Sequence, residues 1–429
     1  MAVILGFILM IALGVPVGFS MVLAAFIYVL STGAVSLTFI PQSMISGVSS
    51  YTMLAIPFFM LVGELMNSSG ITKRIFRFAN DCVGHITGGL GHVNVLSSML
   101  FAGMSGAAVA DCAGLGAIEI KAMTDEGFDA DFAVGITAAS SIIGPIIPPS
   151  SPMVMLGISA GISIGSLFMG GITVGIIMGL FMMATVYIIA KKRGYPKHKR
   201  STWRERIKSF FSALPALLSP VILVGGIFSG YFTPTEAAAV AVFYSLIVGI
   251  FVYRELKWKD IIRVMTTGIE NLGLVMLLMA SGKTFAWVLG MEKVAERATE
   301  ILFSFTSSPL VILLLINLLL LFMGTFMETN ASILILTPIL MPIVTQIGVH
   351  PVQFGVIMIF ALMIGLLTPP MAICLFLTSK LGGISFQRAF KAVTPYYIGL
   401  LIVLLLINVF PQITLAVPKL LLGAHFKGD

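Results

Sequence analysis

Residues 141–153 read SIIGPIIPPSSPM, and residues 362–374 read LMIGLLTPPMAIC. Each puts a Pro-Pro pair, Pro148-Pro149 and Pro369-Pro370, inside a long apolar run. Proline lacks the backbone donor and clashes with the preceding turn, so a helix carrying such a pair breaks there. The setting of the breaks is decided by composition. Of 429 residues, 58% are hydrophobic and 10% charged, against about 25% charged in an average soluble domain. Runs such as 1–30, 165–190 and 393–417 reach the roughly 20 apolar residues that a bilayer-crossing helix needs. The sequence predicts an all-α polytopic membrane protein embedded in a lipid bilayer. At that depth irregular backbone survives only where protein buries it or it lines a wet cavity.

The net charge of +7 is concentrated, not spread. Residues 191–208, KKRGYPKHKRSTWRERIK, hold nine Lys/Arg against one Glu between two hydrophobic runs. Short basic loops stay on the cytoplasmic side, so the basicity reads as topology and no nucleic-acid partner is expected. Counting outward from this loop gives 20 Lys/Arg on inner loops and four outside, with Lys283 inside a span. The same map puts the N-terminus on the cytoplasmic side and the C-terminus on the opposite side. Segment 1–30 has no basic n-region and is too long for a signal h-region. Cys82, Cys112, Cys374 and the five histidines are scattered, which points to neither a metal cluster nor a disulfide framework.

The two Pro-Pro stretches belong to a repeat. Gly103, Gly144, Pro148 and Pro149 recur 221 positions later as Gly324, Gly365, Pro369 and Pro370. The predicted first repeat is 1–190, with a re-entrant hairpin at 92–120 and a broken helix at 132–157. A basic linker at 191–209 and an additional transmembrane helix at 210–232 follow. The second repeat is 233–417, with a hairpin at 308–345 and a broken helix at 352–378, before a tail at 418–429. One hairpin opens from inside and the other from outside, so the repeats are inverted. ITKRIFRFAN and MEKVAERATEILFSF read as interfacial amphipathic helices, the second with Glu292, Glu296 and Glu300 at i, i+4 spacing. Ser151 is predicted to cap a half-helix that Pro152 starts, and Thr368 to do the same before Pro369.

Unwound helices facing hairpin tips are the arrangement in which secondary transporters hold Na⁺ with carbonyls and aim helix N-termini at anions. Together, YFTPTEAAAVA (231–241), GTFMETNASILILTPILMPI (324–343), GPIIPPSSPMV (144–154) and GLLTPPMAICLF (365–376) resemble the large membrane subunit of the tripartite ATP-independent periplasmic (TRAP) transporters. The resemblance covers nearly the whole chain. It implies a sodium-coupled elevator importer of carboxylated solutes, working with a small four-helix membrane subunit and a periplasmic substrate-binding protein, both expected as separate chains. It implies a first Na⁺ site at Ser105, Gly144, Ile147 and Ser150, with Gly103 an alternative hairpin member, and a second at Gly324, Gly365, Thr368 and Met371. Most of these would act through backbone carbonyls.

Ionisable residues within spans are costly and functional by default. Glu328, at the second tip in METNAS, is assigned with Thr329 and Asn330 to the substrate pocket, alongside Ser105 and Ser151. Asp111 is balanced between a structural role in the first hairpin and a functional one. Glu64, near a span end, and Glu236, in a first helical turn, read as structural. A pocket of hydroxyls, amides and one carboxylate, with no Lys or Arg at either tip, slightly favours a polyhydroxylated sugar acid such as sialic acid over a C4-dicarboxylate. Two other classes compete. A stand-alone sodium/dicarboxylate or arsenite-type carrier would share the architecture without a binding protein. An intramembrane enzyme would need a nucleophile–base pair or metal cluster, and none is visible, so no catalytic residue is assigned.

Overall fold

The computed structural model describes residues 2–33 and 35–423, all helix and connections. The tail stretch 424–429 lies outside the described residues. Seven helices are long and apolar enough to span a membrane, or eight if a bent pair is counted as one.

The chain opens with α1 (Ala2–Ala12) and α2 (Val17–Thr32), where a single span over 1–30 was expected. Gly14 at φ +84° and Pro16 turn the chain between them. Both pack on the long helix α13 (Trp258–Met291). Phe7 of α1 lies 4.5 Å from Phe285, and Tyr28 of α2 lies 5.9 Å from Trp287. Between them, a Cβ added at Gly18 would lie 3.3 Å from Leu277, about 12 Å below Phe285 at 1.5 Å per residue. α1 therefore descends along α13 and α2 climbs back. The N-terminal stretch is thus a pair of antiparallel helices along α13, and not the single span expected over 1–30. α1 begins at the Met291 end of α13, opposite the basic linker, because the turn at 13–16 reverses the chain where an uninterrupted apolar run suggests a crossing.

α3 (Phe39–Val48) bends by 57° into a 3-10 turn (Tyr51–Leu54) and α4 (Ala55–Ser68). α5 (Ile71–Val83) is the first amphipathic helix, burying Ile71, Ile75 and Ala79 beside Lys73, Arg74 and Arg77. The first hairpin is α6 (Gly89–Ser105) and α7 (Ala108–Asp125). The first broken helix is α8 (Ala130–Ser141) and α9 (Ser151–Ala160), after which α10 (Ile164–Arg193) runs to the linker. α11 (Trp203–Phe228) starts seven residues before the predicted 210, held by a capping box between Thr202 and Glu205. α12 (Pro234–Ile247) is capped the same way by Thr233 and Glu236, which gives Glu236 its structural role, and continues as a π segment (Val248–Val252). α14 (Val294–Phe305) begins after Glu292, so that residue ends α13 and does not join the i, i+4 row.

The second hairpin is α15 (Pro309–Phe326) and α16 (Thr329–Gln346), and the second broken helix is α17 (Pro351–Gly365) and α18 (Ile373–Leu381). α19 (Phe386–Val409) and α20 (Gln412–Leu422) finish the chain. The repeats interleave, with α16 packed on α9, α18 on α7 and α19 on α8.

The basic loops gather at one end of the molecule. Arg74 pairs with Glu255 at 2.7 Å, Arg193 with Asp129 at 2.9 Å and Arg388 with Asp131 at 2.8 Å. His198 Nδ1 meets Asn80 Oδ1 at 2.8 Å and its Nε2 meets Glu126 Oε2 at 2.5 Å. At the other end Thr235 Oγ1 donates to the Tyr51 carbonyl at 3.2 Å, and Thr52, Ser163, Phe232 and Leu422 border one cleft.

Candidate functional site

Both hairpin tips and both breaks open onto one central cavity of about 630 Å³. The first tip turns at Gly106, whose φ is +61° and whose added Cβ would lie 2.5 Å from the Pro149 carbonyl oxygen. Only glycine lets the tip touch the break this closely. Just before it, the buried Ser105 hydroxyl donates to Asp111 Oδ1. Asp111 Oδ2 is buried without a partner, and a Cβ added at Gly144 would lie 2.4 Å from it. Ser105, Asp111 and Gly144 thus converge, which gives Asp111 a place in the first candidate cation site as well as in the hairpin. The Ser150 hydroxyl donates to the Pro145 carbonyl at 2.5 Å and accepts from Met153 N–H at 3.2 Å. Ile147 turns its side chain onto α10, against Gly175. Gly103 is set against Pro220 of α11, with the Pro148 carbonyl oxygen 3.7 Å from an added Cβ.

Two predicted caps need correction. Ser150, not Ser151, caps α9, because its extended backbone brings the hydroxyl under Met153 N–H. Thr368 caps nothing. Its hydroxyl turns back to the Ile364 carbonyl at 2.9 Å and meets Tyr397 Oη at 3.2 Å, and α18 begins five residues later, after Ala372 at φ +41°.

In the second repeat Gly365 and Gly324 pack backbone to backbone. A Cβ added at Gly365 would lie 2.4 Å from the Gly324 carbonyl carbon. The exposed Met371 ties the break to the hairpin by donating its N–H to the Thr325 carbonyl at 3.3 Å. Both Pro-Pro bonds are cis. Glu328 caps α16, with its carboxylate accepting from Ala331 N–H at 3.0 Å, and it opens onto the cavity. Thr329 is buried beside it, and Asn330 Oδ1 is buried without a partner.

Four helices begin at this cavity. Ala108 of α7, Ser151 of α9, Thr329 of α16 and Ile373 of α18 all line it. Their first-turn N–H groups and dipoles favour an anion. The facing wall, from the start of α2, α4 and α13, is apolar: Phe19, Ile56, Met60, Leu274 and Leu278. Asn271 is the polar side chain of that wall. Sequence reading missed it, since one amide in the middle of a 34-residue helix carries no periodic signal. It also missed Glu119, which lies where the predicted hairpin was closing.

A family model described as the DctM component of tripartite ATP-independent periplasmic transporters matches residues 4–413. The chain is 46% identical to the sialic acid TRAP transporter large permease protein SiaM of Vibrio cholerae, covering 98% of both chains. It is 43% identical to the sialic acid TRAP transporter permease protein SiaT of Haemophilus influenzae, over 96% of this chain and 67% of that protein. Identity to the C4-dicarboxylate TRAP transporter large permease protein DctM of Pseudomonas aeruginosa is 40%, over 86% of each. Among solved structures, the YdaH transporter of Alcanivorax borkumensis superposes with a TM-score of 0.61 over 88% of each chain at 13% identity, a likeness of fold alone. Both the repeat architecture and a match spanning nearly the whole sequence lead to one assignment: this chain belongs to the DctM-component family and is a TRAP transporter large permease subunit, a multi-pass membrane transporter and not an enzyme.

Proposed function

We propose that this subunit imports a carboxylated solute by sodium-coupled elevator transport in a bacterial inner membrane. The observation that carries the reading is the meeting of four helix N-termini and two broken helices at one cavity with no Lys or Arg in its described lining. Helix dipoles and bound Na⁺ then supply the positive charge that a carboxylate needs. Ser105, Gly144, Ile147 and Ser150 would hold one Na⁺, beside Asp111, with Gly103 behind them. Gly324, Gly365, Thr368 and Met371 would hold the other. Glu328, Thr329, Asn330 and Ser151 would meet the solute's hydroxyls and amides. The apolar facing wall suits a surface that the hairpin-bearing body slides past, since it offers few hydrogen bonds to break.

The linker end of the molecule is assigned to the cytoplasm by its basic loops, which puts the starts of α1 and of the tail on the periplasmic side. Sialic acid is favoured over a C4-dicarboxylate by the polar tips and by the names of the relatives at 46% and 43% identity. The solute would arrive on a periplasmic binding protein, and a small four-helix membrane subunit would complete the complex. Reconstitution into liposomes with each component omitted in turn tests this. Sialic acid uptake is expected only with all three present, and uptake by this chain alone would replace the reading with a stand-alone carrier.

A further inference from the structure

The first hairpin holds a second polar cluster, apart from the cavity. Glu119 of α7 is 1% exposed. Its Oε2 accepts from Asn94 Nδ2 of α6 at 2.6 Å, and the same nitrogen donates to Thr137 Oγ1 of α8 at 2.8 Å. Ser140 Oγ donates to Asn94 Oδ1 at 2.6 Å, and Ser98 Oγ donates to Ser140 Oγ at 3.1 Å. The donors thus run in one direction, from Ser98 toward Glu119 and Thr137. They end at a carboxyl group whose other oxygen, Oε1, is buried with no partner. Ser97 Oγ, one turn along α6 from Asn94, is also buried and unpartnered.

No neighbouring element supplies the missing positive charge. His92 on α6 bonds the Thr87 carbonyl, and Asp111 on α7 is itself acidic. Lys380 on α18 is exposed, with its ammonium over the Phe376 ring. Asp131 on α8 is taken by Arg388. A carboxylate with one neutral donor does not recover what it loses on leaving water. The cluster is not required to pack a hairpin against a broken helix either. At the corresponding positions 221 residues on, Asn94, Glu119, Thr137 and Ser140 become Leu315, Leu340, Met358 and Ala361.

We propose that Glu119 is a monovalent-cation site belonging to the first repeat alone, taking up a proton or Na⁺ at its open carboxyl oxygen. The bound cation neutralises the hairpin where lipid-depth protein surrounds it. The proposal does not rest on the transport reading, and its test needs neither solute nor partner subunit. The purified chain and E119Q are compared by thermal unfolding midpoint in two titrations, Na⁺ at fixed pH and pH at fixed Na⁺. If the ligand is a proton, E119Q loses part of the pH-dependent shift and keeps the Na⁺-dependent one. If it is Na⁺, E119Q loses part of the Na⁺-dependent shift and keeps the rest. Identical shifts in both proteins in both titrations overturn the proposal. Should E119Q fail to fold, N94L/E119L, which gives the first hairpin the residues of the second, takes its place with the same outcomes.

Discussion

The first hairpin encloses a connected polar network and the second is mostly aliphatic at the same positions, although both close on a glycine-lined break. The difference follows from where each sits. α6 is enclosed by α5, α8, α10 and α11, with His92, Asn94, Ser97 and Ser98 all buried. α15 presents Leu314, Leu318 and Phe322 outward. Polar groups are tolerated at membrane depth only inside protein, so the enclosed hairpin carries a connected network, while α15 keeps one buried amide, Asn317, whose Nδ2 donates to Asn408 Oδ1 at 2.7 Å. What the repeats share is confined to the tips and breaks, where Gly144 matches Gly365 and the last residues of α6 and α15, Ser105 and Phe326, also lie 221 apart. Repetition preserves the backbone of the tips and breaks, their glycines, prolines and helix ends, and the surroundings set the side chains.

The sharpest way to break that comparison is to add one methyl group to each break. In G365A the new Cβ would meet Gly324 backbone at 2.4 Å, whereas in G144A it meets the Asp111 carboxylate at 2.4 Å. A backbone cannot turn aside and a side chain can. G365A is therefore expected to abolish uptake and cost about 1–3 kcal/mol of stability, the usual range for overpacking, with G144A milder in both. Uptake assays and thermal unfolding check the order, and equal damage would mean the two breaks are packed alike.

Glu328 has no acidic counterpart at the first tip, where Ala107 stands. E328A removes a helix cap worth about 1 kcal/mol, so the chain should stay folded while solute uptake is lost. Normal uptake by folded E328A in liposomes would take this residue out of the site. A smaller effect is expected across the cavity. N271L removes one hydrogen-bonding group from the apolar wall, and a net bond of about 1 kcal/mol raises KM roughly fivefold at unchanged kcat. An unchanged KM would leave recognition to the tips alone.

The smallest effect lies at the basic end. The Asp129 carboxyl is held below its ordinary range first by the Tyr195 hydroxyl, which donates at 2.5 Å, and then by Arg193, against a burial effect in the other direction. Burial, with the Asp129 contact, pushes Tyr195 up to about 12, so it stays a neutral donor. A depressed carboxyl contributes stability above its unfolded value and loses it as pH falls through the folded one. With the Asp129 side chain 60% exposed, solvent keeps that contribution under about 1 kcal/mol. D129N should lower the unfolding midpoint slightly at neutral pH and not in acid, and an undiminished difference in acid would remove the ionic contribution.

The sequence made the breaks legible because paired prolines, glycines and serines in an apolar run have few other uses. Glu328 stood out for the same reason, as a charge where charge is costly. The α1–α2 turn did not, since residues 13–16, LGVP, are apolar enough to continue a span, and only packing of Phe7 and Tyr28 on α13 exposes the reversal. Ser150 and Ser151 differ by one position, and either satisfies a cap before Pro152 on spacing alone. Asn271 and Glu119 gain meaning from partners distant in sequence: the opposite cavity wall for one, Asn94 and Thr137 for the other.

If the two unwound segments hold the coupling cations, transport depends on sodium. That dependence is tested most directly by solute uptake into liposomes containing all three components, with external sodium replaced by choline at constant ionic strength. Uptake is expected to be lost in choline and restored by an inward Na⁺ gradient. Undiminished uptake in choline would contradict it.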